Sequence, residues 1–140
     1  MINLEFLIER KILRLGNQLL NHRNDDLKAY DLTAEQSETL LFFDLHKKAL
    51  ILDLKGHLRI SHQAARNLVE RMKKKGLLYV EVSPNDGRAR LVCLTEKGQK
   101  TCDSLKRAGT SVGHKLLEGI SDEDRKWILS LLEQLSKNME

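Results

Sequence analysis

Five polar side chains between residues 62 and 73 have the chemistry to contact DNA bases. His62, Gln63, Arg66, Asn67 and Lys73 lie at helical spacing and carry hydrogen-bond donors or positive charge. In the major groove of DNA, arginine pairs with guanine, whereas glutamine and asparagine pair with adenine. The first residues of a recognition helix reach those bases. The pattern predicts base or near-base contacts at His62, Gln63, Arg66 and Asn67, and the alternative is an ordinary solvated helix face.

A second basic group follows in a turn-rich segment. Residues 83–88 contain the only proline of the chain and an Asn-Asp-Gly turn signal. Arg88 and Arg90 are two residues apart, so along a strand they would point the same way. Arg88 is expected to enter a narrow minor groove, where the potential is most negative, with Asp86 bracing it through a charge-assisted hydrogen bond. The alternative is an exposed ion pair in a turn, which stabilises little.

The positive charge of the chain is concentrated in its middle. Residues 55–90 hold nine basic and three acidic residues, a net charge of +6, whereas all 140 residues together carry +4. Such a distribution favours one module that binds a polyanion. No apolar run approaches the roughly 20 residues of a membrane span. We therefore expect a cytoplasmic protein without membrane contact.

Hydrophobic periodicity and capping signals predict a mainly α-helical chain with a small β-hairpin. Thr33 and Gln36 suit a capping box, Ser61 suits an N-cap, and the run from Ala65 to Met72 supplies a buried helix side. The expected helices cover about 3–22, 33–47, 52–58, 62–75, 95–117 and 122–138, and the expected strands cover 78–82 and 89–94. Residues 22–30 are expected to break the first helix, and 49–52 to form a brief strand or a helix start. Two helices around a tight turn, followed by a hairpin, make a winged helix-turn-helix.

Three segments resemble the MarR family (multiple antibiotic resistance regulators): LTAEQSETLL, ISHQAARNLVERMKKKGLL and SPNDGRARLVCLTEKG. The most specific mark is the D-x-R wing at Asp86 and Arg88, followed by a strand and Leu-Thr-Glu-Lys-Gly at 94–98. The resemblance implies a homodimer that binds a pseudo-palindromic operator in double-stranded DNA. It makes Ser61–Lys75 the recognition helix and Arg88 the wing arginine. In a single domain over 1–140, it implies a winged-helix part at about 33–94, with dimerisation helices at about 3–22 and 95–138.

The resemblance also implies a repressor that responds to a small-molecule effector. Such an effector would bind between the dimerisation helices and the DNA-binding part, and the sequence assigns no residue to it. The chain departs from the family at Lys55, where a small residue usually follows the leucine that is here Leu54. We expect Lys55 to contact a DNA phosphate instead.

The first and last helices each carry a stripe of large apolar residues, which bears on dimerisation separately from the resemblance. These stripes consist of Leu4, Ile8, Ile12, Leu15 and Leu19, and of Trp127, Ile128, Leu131, Leu132 and Leu135. They could form a dimer interface, which we expect, or pack on each other within one chain.

Other chemistry finds little support in the residue pattern. The histidines show no metal-ligand spacing, and no phosphate loop or nucleophile elbow is present, so we expect no metal, no cofactor and no enzyme activity. Cys93 and Cys102 do not form a C-x-x-C pair and are expected to be free, buried thiols. The alternative to a DNA-binding regulator is a winged helix that serves protein–protein assembly without sequence-specific DNA binding.

Overall fold

The computed structural model describes residues 1–108 and 111–140. It contains two compact units, Met1–Thr110 and Ser111–Glu140. The elements follow in the order α1 (Leu4–Leu27), a 3₁₀ turn (Lys28–Tyr30), α2 (Ala34–Leu45), β1 (Ala49–Leu50), α3 (Ile51–Leu58), α4 (His62–Lys74), β2 (Leu78–Val82), β3 (Arg90–Leu94), α5 (Glu96–Ala108), α6 (Ser111–Leu116) and α7 (Asp122–Asn138). The predicted fold class, a mainly helical winged helix-turn-helix, is confirmed. The single domain over 1–140 stays a prediction.

Helix α1 is longer than predicted. It continues through the polar residues that were expected to end it near residue 22, and it reaches the buried Leu27. Two of those polar side chains have partners on α2: Asn24 accepts a hydrogen bond from the backbone N–H of Ala34 at 2.7 Å, and Arg23 forms an ion pair with Glu38 at 3.3 Å. The predicted break is wrong because these polar residues contact a neighbouring helix, which their composition does not show.

Helix α2 begins at the predicted capping box. Thr33 accepts from the backbone N–H of Gln36 at 3.1 Å, and the Gln36 side chain accepts from the backbone N–H of Thr33 at 3.2 Å. Leu40 is fully buried, whereas Leu45, at the end of the helix, is 77% exposed. Leu45 is exposed because the helix ends there and the chain turns towards β1.

The sheet has three antiparallel strands in the order β1-β3-β2. Residues 49–52, for which the sequence left a strand or a helix start open, form both: Ala49 and Leu50 pair with Val92 and Leu91, and α3 begins at Ile51. In the hairpin, β2 and β3 pair from Leu78 opposite Leu94 to Val82 opposite Arg90. The predicted hairpin is therefore joined to the start of α3 by a third strand.

Helices α3 and α4 form the helix-turn-helix pair. Arg59 adopts the left-handed conformation at φ +54° and ends α3, and the Ser61 hydroxyl caps α4 by accepting from the backbone N–H of Ala64 at 3.0 Å. As predicted, Ala65, Leu68, Val69 and Met72 are buried. Ala65, Val69 and Met72 join a core with Leu27, Leu40, Phe43 and Leu54. The opposite side of α4 is therefore exposed to solvent.

The residues at 95–98 attach α5 to the end of α4. The Thr95 hydroxyl donates to the backbone carbonyl of Gly76 at 2.6 Å and accepts from the backbone N–H of Gly98 at 3.0 Å. The backbone N–H of Thr95 donates to the carbonyl of Leu77 at 3.0 Å. This part of the family motif therefore has a structural role: it fixes the base of the hairpin.

The predicted helix over 95–117 corresponds to α5 and α6, and its residues 109–110 lie outside the described residues. Within α5, Cys102 is buried as expected, and Leu105 is buried beside it. In the second unit, Ser121 caps α7 by accepting from the backbone N–H of Asp124 at 3.1 Å. No helix in the described part of the chain is long and apolar enough to cross a membrane.

Asp44 joins the end of α2 to α5. Its carboxylate accepts from Lys106 at 2.6 Å, from Gln99 at 2.8 Å and from Lys47 at 3.0 Å. The hydrogen bond from Lys106, followed by that from Gln99, holds the pKa of Asp44 well below its ordinary value of 3.8. Because the folded state lowers this pKa, Asp44 stabilises the fold above pH 3.8, and this contribution is lost as the pH falls through and below that value.

We expect Asp44→Asn to lower the free energy of unfolding by about 1–2 kcal/mol at pH 7, since it removes charge-assisted hydrogen bonds. Urea unfolding at pH 7 and at pH 3 would measure the difference, which should shrink at pH 3. The matched control is Glu96→Gln, because Glu96 pairs with Lys100 on the exposed surface of α5. An equal loss in both variants, or a loss that is independent of pH, would contradict the assigned role of Asp44.

Candidate nucleic-acid interface

The exposed face of α4 and the hairpin strands form the two sides of one surface groove. The groove has a volume of about 580 Å³, and its polar lining residues are Gln63, Arg66, Asn67, Glu70, Lys73 and Arg90. Its apolar lining residues are Ile51, Val80 and Val82. The structure thus brings four of the predicted helix residues and one predicted wing residue onto a single surface.

A second groove of about 340 Å³ lies at the start of α4 and extends to the hairpin tip. His62, Arg66, Arg88 and Arg90 line it together with Ala89 and residues 50–52. Arg66 and Arg90 line both grooves, so the two grooves adjoin. We call this continuous surface, from Lys73 across Arg66 to Arg88, the basic face.

Within the basic face, several predicted residues already have protein partners. The Ser61 hydroxyl is occupied as the N-cap of α4. The side chain of Gln63 donates to that of Asn67 at 3.0 Å, and Lys73 forms an ion pair with Glu70 at 3.2 Å. The charge of Lys73 is therefore partly balanced, whereas the exposed Arg66 supplies positive charge at the centre of the face.

At the hairpin tip the structure corrects two expectations. Asp86 accepts from the backbone N–H of Arg88 at 3.0 Å, and not from its guanidinium, because an aspartate in a turn binds the backbone two residues later. Arg88 lies in that turn and not on a strand, since β3 begins at Arg90. The guanidinium of Arg90 donates to the carbonyl of Gly87 at 2.9 Å. Asp86 and Arg90 thus hold the turn together, and the side chain of Arg88 is exposed.

Lys55 lies apart from this arrangement. Its side chain is exposed on α3, and it lines neither groove of the basic face. The carbonyl of Lys55 accepts from the backbone N–H of Ile60 at 3.3 Å, within the turn to α4. Its role as a phosphate contact stays a prediction, as do the DNA-contacting roles of the other site residues.

Sequence reasoning missed the apolar side of the first groove and the acidic residue within it. Ile51 lies there because β1 pairs with β3, and Val80 and Val82 lie there because they alternate along β2. The alternation of Val80 and Val82 along β2 can be read from the sequence. The pairing of the two-residue strand β1 with the distant strand β3 cannot. Nothing in the sequence distinguishes Glu70 from the other polar residues of the helix surface.

Neither thiol has the environment of a reactive cysteine. Burial raises the pKa of Cys102 to about 11, with a further contribution from Asp44. Burial also raises the pKa of Cys93, and the nearby carboxylate of Glu81, at 3.6 Å from its sulfur, adds to this effect. Both cysteines are free, as predicted, but Cys93 is only half-buried. Raised pKa values disfavour the nucleophilic thiolate, so both groups serve packing.

Comparison with known sequences finds a family that part of the chain resembles. The sequence model described as the MarR family matches residues 30–89, which contain α2, the helix-turn-helix pair, β2 and Arg88. Over this segment the chain is similar to the MarR family. A curated relative from Bacillus cereus (strain ATCC 10987 / NRS 248), an uncharacterized HTH-type transcriptional regulator, is 22% identical over 135 residues, which cover 96% of this chain and 90% of the relative.

Solved structures of three proteins share their fold with most of this chain. The transcriptional regulator SlyA superposes with a TM-score of 0.82 at 19% identity, covering 94% of this chain and 93% of SlyA. A mutant of MarR from E. coli, complexed with operator DNA, gives a TM-score of 0.80 at 23% identity and covers 96% and 99%. The MepR–DNA complex from S. aureus gives 0.77 at 19% identity and covers 99% of each chain. At these identities the similarity establishes the fold.

Proposed function

We propose that this chain is a DNA-binding transcriptional regulator without enzymatic activity. In this proposal α4 enters the major groove of double-stranded DNA, and the hairpin tip with Arg88 enters the adjacent minor groove. The observation that carries the proposal is the basic face, on which the first turns of α4 and the hairpin arginines form one continuous surface. The MarR and MepR structures with bound DNA support it by fold similarity.

The charge distribution supports a polyanionic partner. The net charge of +6 within residues 55–90 exceeds the net charge of +4 of the whole chain, so the remaining residues are slightly acidic. On the basic face itself, the acid Glu70 is outnumbered by Arg66, Lys73, Arg88 and Arg90. These charges attract the phosphate backbone, while the amide and guanidinium groups of α4 supply the contacts to base edges. Both requirements of sequence-specific binding are therefore met on the same face.

The finer proposal is a cytoplasmic homodimer that represses transcription and responds to a small-molecule effector. Two copies related by a two-fold axis would present two basic faces to a pseudo-palindromic operator. The apolar residues of α1 and α7 support dimerisation because they are exposed in the chain, among them Ile12, Trp127 and Leu131. Exposed apolar surface of this extent is typical of a protein interface.

The salt dependence of DNA binding tests the proposed function. Fluorescence anisotropy would be measured with duplex DNA from the region upstream of the protein's own gene and with a scrambled duplex, across a series of salt concentrations. Tight binding to the native duplex alone, weakening steeply with salt, is the expected result. Weak binding to both duplexes would contradict specific binding to this DNA region. Binding to a protein partner with an affinity that barely depends on salt would favour the alternative, a module for protein–protein assembly.

Arg88→Ala is expected to weaken binding to the native duplex by about tenfold to a hundredfold, since each hairpin loses a charged groove contact. The dimer should remain intact, because Arg88 is exposed at the hairpin tip. The matched control is Arg107→Ala, which removes an exposed arginine that lines neither groove. Anisotropy and sedimentation velocity would be run on both variants. Equal affinity in the Arg88 and Arg107 variants would remove the hairpin tip from the mechanism.

A further inference from the structure

The hydrogen bond between Gln63 and Asn67 lies on the part of α4 that the proposed function directs at DNA bases. The two residues are one helical turn apart, and both side chains are exposed. A primary amide has two N–H donors and a carbonyl oxygen that accepts two hydrogen bonds. In this pair, one N–H of Gln63 donates to Oδ1 of Asn67 at 3.0 Å.

This bond leaves Asn67 with a defined set of unused groups. Both N–H donors of its amide remain, and so does the second acceptor position of Oδ1. A donor beside an acceptor matches the major-groove edge of adenine, where N7 accepts and the N6 amino group donates. Guanine presents two acceptors at the same edge, N7 and O6, so Oδ1 of Asn67 would face an oxygen and bind less well.

The same bond restricts the orientation of the Asn67 amide. A free asparagine side chain on a helix surface samples several rotations, and ordering it on binding costs conformational entropy. Because Gln63 donates a hydrogen bond to Oδ1, the orientation of the Asn67 amide plane is restricted in the DNA-free protein. Less conformational entropy is therefore lost when DNA binds. Gln63 is then needed for the geometry of the contact even if it touches no base itself.

We propose that Asn67 recognises an adenine in the operator and that Gln63 is a positioning residue for this contact. This inference rests on the proposed DNA-binding function. Arg66 precedes Asn67 by one residue and points in a different direction around α4, so it contacts a different base pair. Its preference should be for guanine, which its guanidinium can bind through two hydrogen bonds. Arg66 therefore provides an internal comparison for the test.

The test measures base preference position by position. A consensus duplex is first selected from a pool of randomised duplexes with the wild-type protein. Each position is then substituted in turn, and anisotropy gives the affinities of the wild type, Gln63→Ala, Asn67→Ala, the double variant and Arg66→Ala. For the wild type, one adenine per half-site should be preferred over other bases by about tenfold to a hundredfold.

Asn67→Ala should abolish the preference at that adenine, and Gln63→Ala should reduce it at the same position. The double variant should resemble Asn67→Ala, since two residues that act as a unit are not additive. Arg66→Ala should alter a different position and leave the adenine preference unchanged. A merely structural role of Gln63 would weaken binding to all duplexes equally and would not change the preference at one base.

Two results would overturn the inference, and they are distinguishable. If Gln63→Ala changes the preference at a position of its own, or leaves the Asn67 position unaffected, Gln63 does not position Asn67, although the protein still binds DNA specifically. If the wild type selects no consensus and binds all duplexes alike, the proposed function fails and this inference fails with it. Circular dichroism of each variant would confirm that α4 remains folded.

Discussion

Replacing Gly98 by alanine is expected to destabilise the winged-helix unit by about 3 kcal/mol, the upper end of the usual cost of overpacking. A β-carbon at position 98 would overlap the backbone carbonyl of Leu77. That carbonyl accepts the hydrogen bond from the backbone N–H of Thr95, and the hydroxyl of Thr95 in turn accepts from the backbone N–H of Gly98. Since the obstacle is backbone within this network and not a flexible side chain, the strain cannot be relieved by a rotamer change.

Gly56→Ala is the matched control because a β-carbon at position 56, inside α3, would meet no atom within 4 Å. Alanine is favoured over glycine within a helix, so this variant should gain about 0.5–1 kcal/mol. Urea unfolding followed by circular dichroism, at one fixed protein concentration, would compare both variants with the wild type. A Gly98→Ala protein as stable as the wild type would show that α5 can move away from Leu77 at little cost.

The position of Gly98 explains part of the resemblance to the MarR family that the sequence shows. In the Leu-Thr-Glu-Lys-Gly segment, threonine supplies the cap of α5 and the bond to Gly76, and glycine permits close approach to Leu77. The segment therefore marks a way of joining the hairpin to a helix, and no residue in it lines the basic face. A sequence motif can therefore mark a winged-helix fold without containing residues of the surface that we propose to contact DNA.

Local signals carried most of the successful sequence predictions. The N-cap at Ser61 and the apolar spacing of Ala65, Val69 and Met72 fixed both the start of α4 and its exposed side. Such signals act within one or two helical turns, so they can be read from a single sequence. Because the exposed side followed from the buried one, the structure brought the predicted residues of α4 onto the basic face.

The expectations that failed, and the alternatives that the sequence left open, depend on partners distant in the chain or on the choice between side chain and backbone. The continuation of α1 depends on Asn24 meeting the start of α2, and β1 depends on its pairing with β3. At the hairpin tip, the expected bond of Asp86 was to the guanidinium of Arg88, whereas its carboxylate accepts from the backbone N–H of Arg88, the usual partner of an aspartate in a turn. The bond between Gln63 and Asn67 was likewise not foreseen, although both residues had been assigned to the same surface.

Several apolar side chains of α1 and α7 are exposed to solvent, which is energetically unfavourable. Ile8 and Ile12 are each 46% exposed, and Leu131 is 45% exposed. Fully burying an aliphatic side chain of this size contributes about 1.5–3 kcal/mol, and these side chains are already about half-buried, so about half of that value remains to be gained from each. Covering them with a second copy of the chain would provide this gain in both copies, because a two-fold axis uses the same surface on both partners.

The double variant Ile12→Glu/Leu131→Glu is therefore expected to convert the proposed dimer into monomers. Each copy would bring two carboxylates into an apolar interface, and burying an unpaired charge costs several kcal/mol. Affinity for the operator should fall by at least a hundredfold, because one basic face then binds without the second. Sedimentation velocity measures the association state, and anisotropy measures the affinity.

Arg14→Glu is the control for this variant, since it places the same side chain at a polar position of α1, outside the apolar stripe. This control should remain dimeric and bind the operator with a loss of less than tenfold, reflecting only its change in charge. A double variant that stays dimeric would show that other surfaces hold the two copies together. A wild-type protein that sediments as a monomer while binding one operator half-site would show that DNA recognition by the basic face does not require the dimer.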